Sequence, residues 1–103
     1  MQPIHPGRIL KRELKARHLS ANQLALALRV PSGRITSLLG GKRSITPETA
    51  LRLARYFGNS AQFWLNLQTR YDLLQTEAEI GERIKVEVVK ATSHRQGPAA
   101  RYD

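Results

Sequence analysis

Three residues between positions 34 and 37 have the types and spacing for recognition chemistry: Arg34, Thr36 and Ser37. On a helical wheel of SGRITSLLG, Ile35, Leu38 and Leu39 gather on one side. Gly33, Ser37 and Gly40 occupy the opposite side, flanked by Thr36 and Arg34. No long side chain stands at the centre of that outer face. Small and hydroxyl-bearing residues let a helix backbone approach a base-pair surface closely, and Arg34 can reach a guanine edge or a phosphate. Lys42 and Arg43 follow as adjacent cations suited to phosphate contacts. The competing reading is a solvated face on an ordinary helical hairpin. Gly33 argues mildly against it, because glycine inside a helix costs about 1 kcal/mol relative to alanine.

Other chemistry is thinly represented. His5, His18 and His94 lie far apart in sequence, with no carboxylate or second histidine at ligand spacing, so no metal is expected. The chain has no cysteine, which excludes disulfides, thiol catalysis and cysteine-type zinc sites. Gly40-Gly41-Lys42 neither follows a strand nor opens a GxxxxGK[ST] pattern, so a nucleotide-phosphate loop is not indicated. No Ser–His–acid set stands out, and the acidic residues are few and mostly C-terminal. These observations describe a binder with no cofactor rather than an enzyme.

The distribution of charge is more informative than its total. All of the +9 formal charge falls on residues 1–58, which hold eleven Lys/Arg against two Asp/Glu, whereas residues 59–103 hold six of each. A basic field attracts a polyanion and makes its affinity salt-dependent. RNA would satisfy the charge equally well; the helical hairpin favours duplex DNA. With 103 residues, 41% of them hydrophobic, one small domain with a compact core is expected. No apolar run approaches the length of a membrane span, and MQPIHPGRIL has no signal-peptide core. A cytoplasmic protein is the expectation.

The elements that must position these residues can be read in order. Met1–His5 reads as a loose arm. Pro6-Gly7 opens a first helix running to about Arg17, with Ile9, Leu10 and Leu14 inward and Lys11, Arg12, Lys15 and Arg17 outward. Ser20 and Gln23 make a capping box for a second helix, about residues 21–28. Arg29-Val30-Pro31 breaks the pattern, and a third helix follows at about residues 32–39. The turn between them commonly needs a residue of positive φ; if Arg29 supplies it, the turn carries some strain. Thr46-Pro47-Glu48 starts a fourth helix, with Ala50, Leu51, Leu53, Ala54 and Phe57 inward and Gly58 at its end. Ser60 caps a fifth helix, about residues 61–80, whose core-facing stripe is Phe63, Trp64, Leu67, Tyr71 and Leu74. Leu65, Leu73 and Ile80 form a second apolar line off that stripe, which a partner surface would cover. Residues 81–90 fit either a helical extension or a strand, with the helix favoured. Residues 91–103 have no periodicity and are expected to be disordered.

Two helices joined by a short turn form the helix-turn-helix pattern. With it stand His5-Pro6-Gly7, Ile9-Leu10, Gly41-Lys42-Arg43, Ile45-Thr46, Thr49–Ala54, Phe63–Gln68 (FWLNLQ) and Tyr71-Asp72-Leu73. Over about residues 4–85 this combination resembles the HigA/VapI antidote proteins of the lambda-repressor-like (Xre) helix-turn-helix group. The resemblance implies an all-α, five-helix domain with a C-terminal helical extension, a homodimer, palindromic operator DNA and repression of a shared operon. It also implies a HigB-like toxin partner, a ribosome-dependent mRNA endonuclease. By position, Ser32, Arg34, Thr36 and Ser37 match the family's base-reading helix, and Gln23, Lys42 and Arg43 match its backbone-contacting flanks. The chain departs at Arg29, where the wider group commonly has glycine, and at Gly33, where a longer polar residue is common. Two rivals stay open: a stand-alone helix-turn-helix regulator with no toxin, and an adaptor whose hairpin binds protein and whose charge is incidental.

Overall fold

Five helices hold most of residues 2–91, which are the residues described in the computed structural model. They are α1 (Pro6–Ala16), α2 (Ala21–Leu28), α3 (Ser32–Leu39), α4 (Pro47–Phe57) and α5 (Ala61–Glu87). No strand is present among the described residues. The expected disorder of the tail concerns residues that, beyond Ala91, lie outside this range.

Each helix starts where its sequence says it should. His5 Nδ1 accepts from the Gly7 N–H at 2.9 Å, with Pro6 at the first helical position. The Ser20–Gln23 capping box is closed in both directions, at 3.0 and 2.8 Å. Thr46 and Ser60 cap α4 and α5. Pro31 precedes α3 with no side-chain cap.

The helix ends are less conventional. α1, α2 and α3 all close with the same pair of backbone bonds, in which a residue of positive φ folds the chain back. Lys42 N–H reaches Ser37 O at 2.9 Å, Val30 N–H reaches Ala25 O at 3.0 Å, and Leu19 N–H reaches Leu14 O at 2.9 Å. Gly41 supplies the positive φ after α3, but His18 and Arg29 supply it after α1 and α2, at 54° and 61°. A left-handed non-glycine residue costs about 1–2 kcal/mol. After α2 the cost is partly offset by Arg52, which donates to the carbonyl of Leu28 at 2.9 Å.

One core joins the helices. Leu10 and Leu14 meet Leu24, Ala25 and Leu28, then Ile35 and Leu38, then Ile45, Ala50, Leu53, Ala54 and Trp64. Phe57 tilts over Trp64, whose indole N–H donates to Asn59 Oδ1 at 2.9 Å. Five residues expected inside stand outside the core. Leu51 and Phe63 are exposed, and Ile9, Tyr71 and Leu74 are only half-buried. Leu65, placed by the sequence on an outward line, packs against the core instead. Gln68 occupies the buried turn of α5 that the apolar pattern left to Leu67 and Tyr71.

α5 settles the ambiguous segment. It continues without a break through Ile80 and Ile84 to Glu87, and the chain turns extended at Val88. Beyond Gln68 no residue of α5 is buried, so its second half projects from the domain.

Candidate nucleic-acid interface

The outer face of α3 is open, as its small residues require. Ser32, Gly33 and Thr36 are exposed. A side chain added at Gly33 would meet empty space, so nothing within the fold demands glycine there. Gly33 is the second residue of α3 rather than an interior one, which makes its helix cost smaller than the sequence suggests. Thr36 Oγ1 donates to the Gly33 carbonyl at 3.2 Å. That bond holds the hydroxyl along the helix and leaves its acceptor lone pairs and methyl group for an outside surface.

The other two expected base-reading residues are placed differently. Ser37 is half-buried. Arg34 is not free. Its Nη1 lies 3.7 Å from Glu48 Oε1, and its side chain is only 24% exposed. Glu48 also holds Arg52 at 3.0 Å, so one carboxylate at the start of α4 organises two guanidiniums. A pair this long and this exposed on the Glu48 side is worth about 0–1 kcal/mol. An incoming phosphate or guanine edge, making two charge-assisted hydrogen bonds, competes with it effectively.

The flanks are built into the helix termini. Gln23 spends its backbone N–H and side-chain oxygen on the capping box, which aims the remaining amide NH2 outward at the start of α2. Lys42 and Arg43 are exposed and follow directly from the closing bonds of α3. The loop that carries them is pinned from below. Gln68 accepts from the buried N–H of Ile45 at 2.8 Å and donates to Asp72 at 3.0 Å.

His5 pins the same loop from the side. Its ring meets Tyr71 edge-on at 4.9 Å, lies against Gly41, and interacts with the backbone of Arg43. Burial pushes its pKa below 6.5, only partly opposed by the Arg43 backbone hydrogen bond and the charge of Asp72. The arm expected to be loose is therefore anchored at His5. Gly7 completes the attachment. A Cβ there would strike the Leu38 carbonyl, so α1 and the end of α3 touch backbone to backbone. Gln68 and the His5–Gly7 contact were missed as positioning residues. The only signal for them was their place inside the HPG and FWLNLQ strings, since no periodicity marks a loop clamp.

Leu73 is exposed, Ile80 is half-buried on the projecting part of α5, and Leu65 lies against the core. The three do not form one continuous outward line.

Comparison with known proteins agrees with this architecture. Residues 10–64 match the helix-turn-helix family model. Virulence-associated protein I of Dichelobacter nodosus is 54% identical over 80 residues, covering 77% of this chain and 74% of that protein. The chain belongs to the HigA/VapI family of helix-turn-helix proteins. An addiction-module antidote protein of the HigA family from Coxiella burnetii superposes with a TM-score of 0.86 at 50% identity, covering 88% of this chain and all of that one. Pseudomonas aeruginosa antitoxin HigA, solved with the higBA promoter, gives 0.86 at 40% identity with the same coverage. Among the described residues no helix is long and apolar enough to cross a membrane, and no group of three His, Cys, Asp or Glu is placed to hold a metal.

Proposed function

We propose that this HigA-family chain is the antitoxin of a HigBA-like type II toxin–antitoxin module in the cytoplasm. As a homodimer it binds palindromic operator DNA and represses its own operon, and it neutralises a ribosome-dependent mRNA endonuclease. It acts by binding, not by catalysis. The observation that carries the DNA reading is the bare outer face of α3, with Ser32, Gly33 and Thr36 exposed, on the half of the chain that holds all the excess positive charge. Ser32 and Thr36 read base edges directly. Arg34 joins them after leaving Glu48, and Ser37 contributes from the rim. Gln23, Lys42 and Arg43 fix the register on the phosphates.

The toxin part rests on the likeness to HigA antitoxins. The test of both parts uses the purified protein, its promoter DNA and the product of the adjacent gene. Thr36→Ala should cost roughly 1 kcal/mol or more of discrimination between promoter and random duplex. Lys42→Ala should weaken both duplexes alike and flatten the salt slope by about one unit. Equal loss on both duplexes for Thr36→Ala would remove the base-reading role. Titration calorimetry with the neighbouring gene product decides the toxin part: no binding at micromolar concentrations leaves a stand-alone regulator.

A further inference from the structure

We propose that the outer face of α1 is a second phosphate track, which grips the backbone of duplex DNA beside the stretch engaged by α3. The proposal rests on the DNA-binding reading above and extends its footprint. Arg8, Lys11, Arg12 and Lys15 recur at i, i+3, i+4 and i+7, so they share one face of α1. All four are exposed, and they line a single open groove with Leu39 of α3.

Among the described residues none of the four side chains takes part in a salt bridge. The neighbouring Arg17, by contrast, is paired with Glu13 at 3.1 Å and lies over the Phe57 ring. Like charges three and four apart oppose helix formation, and Arg8 in the first turn opposes the helix dipole. An outside polyanion reverses the sign of each of these effects.

The groove also says what kind of polyanion it fits. Leu39 is its one apolar lining residue. A protein partner would draw its affinity from buried aromatic or aliphatic anchors, which this face lacks. A sugar-phosphate backbone needs only cations in a row. The row is correctly placed for one: Gly7, next to Arg8, abuts the Leu38 carbonyl, and His5 lies against Gly41. The stripe thus begins at the end of α3 that leads into Lys42. From Arg8 to Lys15 the helix rises about 10.5 Å, the axial span of roughly three phosphates on one DNA strand.

The test is the full-length variant Arg8→Gln/Lys11→Gln/Arg12→Gln/Lys15→Gln. It is compared with the wild type on the protein's own promoter DNA and on a random duplex of about three helical turns. Removing like charges should leave the circular-dichroism spectrum unchanged and the melting temperature no lower. The slope of log K against log salt should fall by about two to four units on both duplexes, with the ratio between them retained. A slope unchanged to within roughly half a unit overturns the proposal. If the fourfold variant melts early, Lys11→Gln/Lys15→Gln carries the same expectation at half the size. Thr36→Ala on the same two duplexes reports base reading separately. Loss of discrimination there with an unchanged slope in the α1 variant sinks the α1 track alone; the converse pattern sinks base reading alone. No salt-dependent duplex affinity in the wild type overturns both.

Discussion

At the scale of single residues, two glycines in similar sequence settings have opposite roles. Gly7 is required by contact: any Cβ there would overlap the Leu38 carbonyl. Both partners are backbone in helices that are themselves packed, so neither yields easily. Gly7→Ala should lower the unfolding free energy by about 1–3 kcal/mol, read from urea denaturation followed by tryptophan fluorescence. Gly33→Ala meets open space and should be neutral or slightly stabilising, since alanine is the better helix former. If the two substitutions cost the same, the backbone contact at Gly7 is not what holds α1 to α3.

His5 gives the residue scale a pH dependence. Its Nδ1 accepts from Gly7, so a proton on that atom removes the α1 cap. Burial holds its pKa below 6.5 in the folded chain, and Tyr71, Asp72 and the Arg43 backbone are the groups that face it. Below about pH 6.5 the unfolded chain binds more protons than the folded one, so stability rises with pH and is lost as the solution is acidified. The urea midpoint should therefore fall between about pH 7.5 and 5.5, and His5→Asn, which keeps a capping side chain, should flatten that fall. An equal fall in the variant would assign the effect to other groups.

At the scale of elements, the connection from α3 to α4 decides where Lys42 and Arg43 point. This loop has Ile45 as its single buried hydrophobic anchor, and the Ile45 N–H depends on Gln68 of α5. Gln68→Leu conserves volume but leaves that donor unsatisfied in the core, which costs about 1–3 kcal/mol. The expected result is a lower melting temperature and faster amide exchange at Ile45. Duplex affinity should also fall although Gln68 itself lies beneath the loop. Unchanged exchange at Ile45 would show that the loop is held without it.

At the scale of the molecule, α5 makes the shape. Its 27 residues reach about 40 Å, and the described residues extend 55 Å in their longest direction with a radius of gyration of 17.9 Å. A compact domain of this length has a radius near 13 Å. The excess is the projecting half of α5, where Leu73 is 58% exposed and Ile84 43%. Burying one leucine is worth about 1.5–3 kcal/mol, and a twofold axis counts each such residue twice. In the proposed dimer Leu73→Glu should leave helicity intact, shift sedimentation to the monomer and reduce operator affinity more than random-duplex affinity. Unfolding of that variant would place Leu73 in the monomer core. An unchanged dimer would move the interface elsewhere on the chain.

The number of helices and their starts were legible in the sequence alone, which also singled out α3 as the proposed reading helix. These features are local: a capping side chain, a proline in a first turn and an apolar repeat act within a few residues of themselves. The likeness over FWLNLQ and the HPG start added the family. Tertiary structure alone decided which member of an apolar stripe is covered. Phe63 and Leu51 satisfy the helical period yet face solvent, while Leu65 and the polar Gln68 turn inward. Burial depends on where the neighbouring helix crosses, and that crossing is set by long-range packing. It also placed Arg34 beside Glu48, fourteen positions later. The left-handed turn at Arg29 could only be suspected, because a non-glycine residue gives no sign of its φ until packing and the Arg52 bond to Leu28 hold it there.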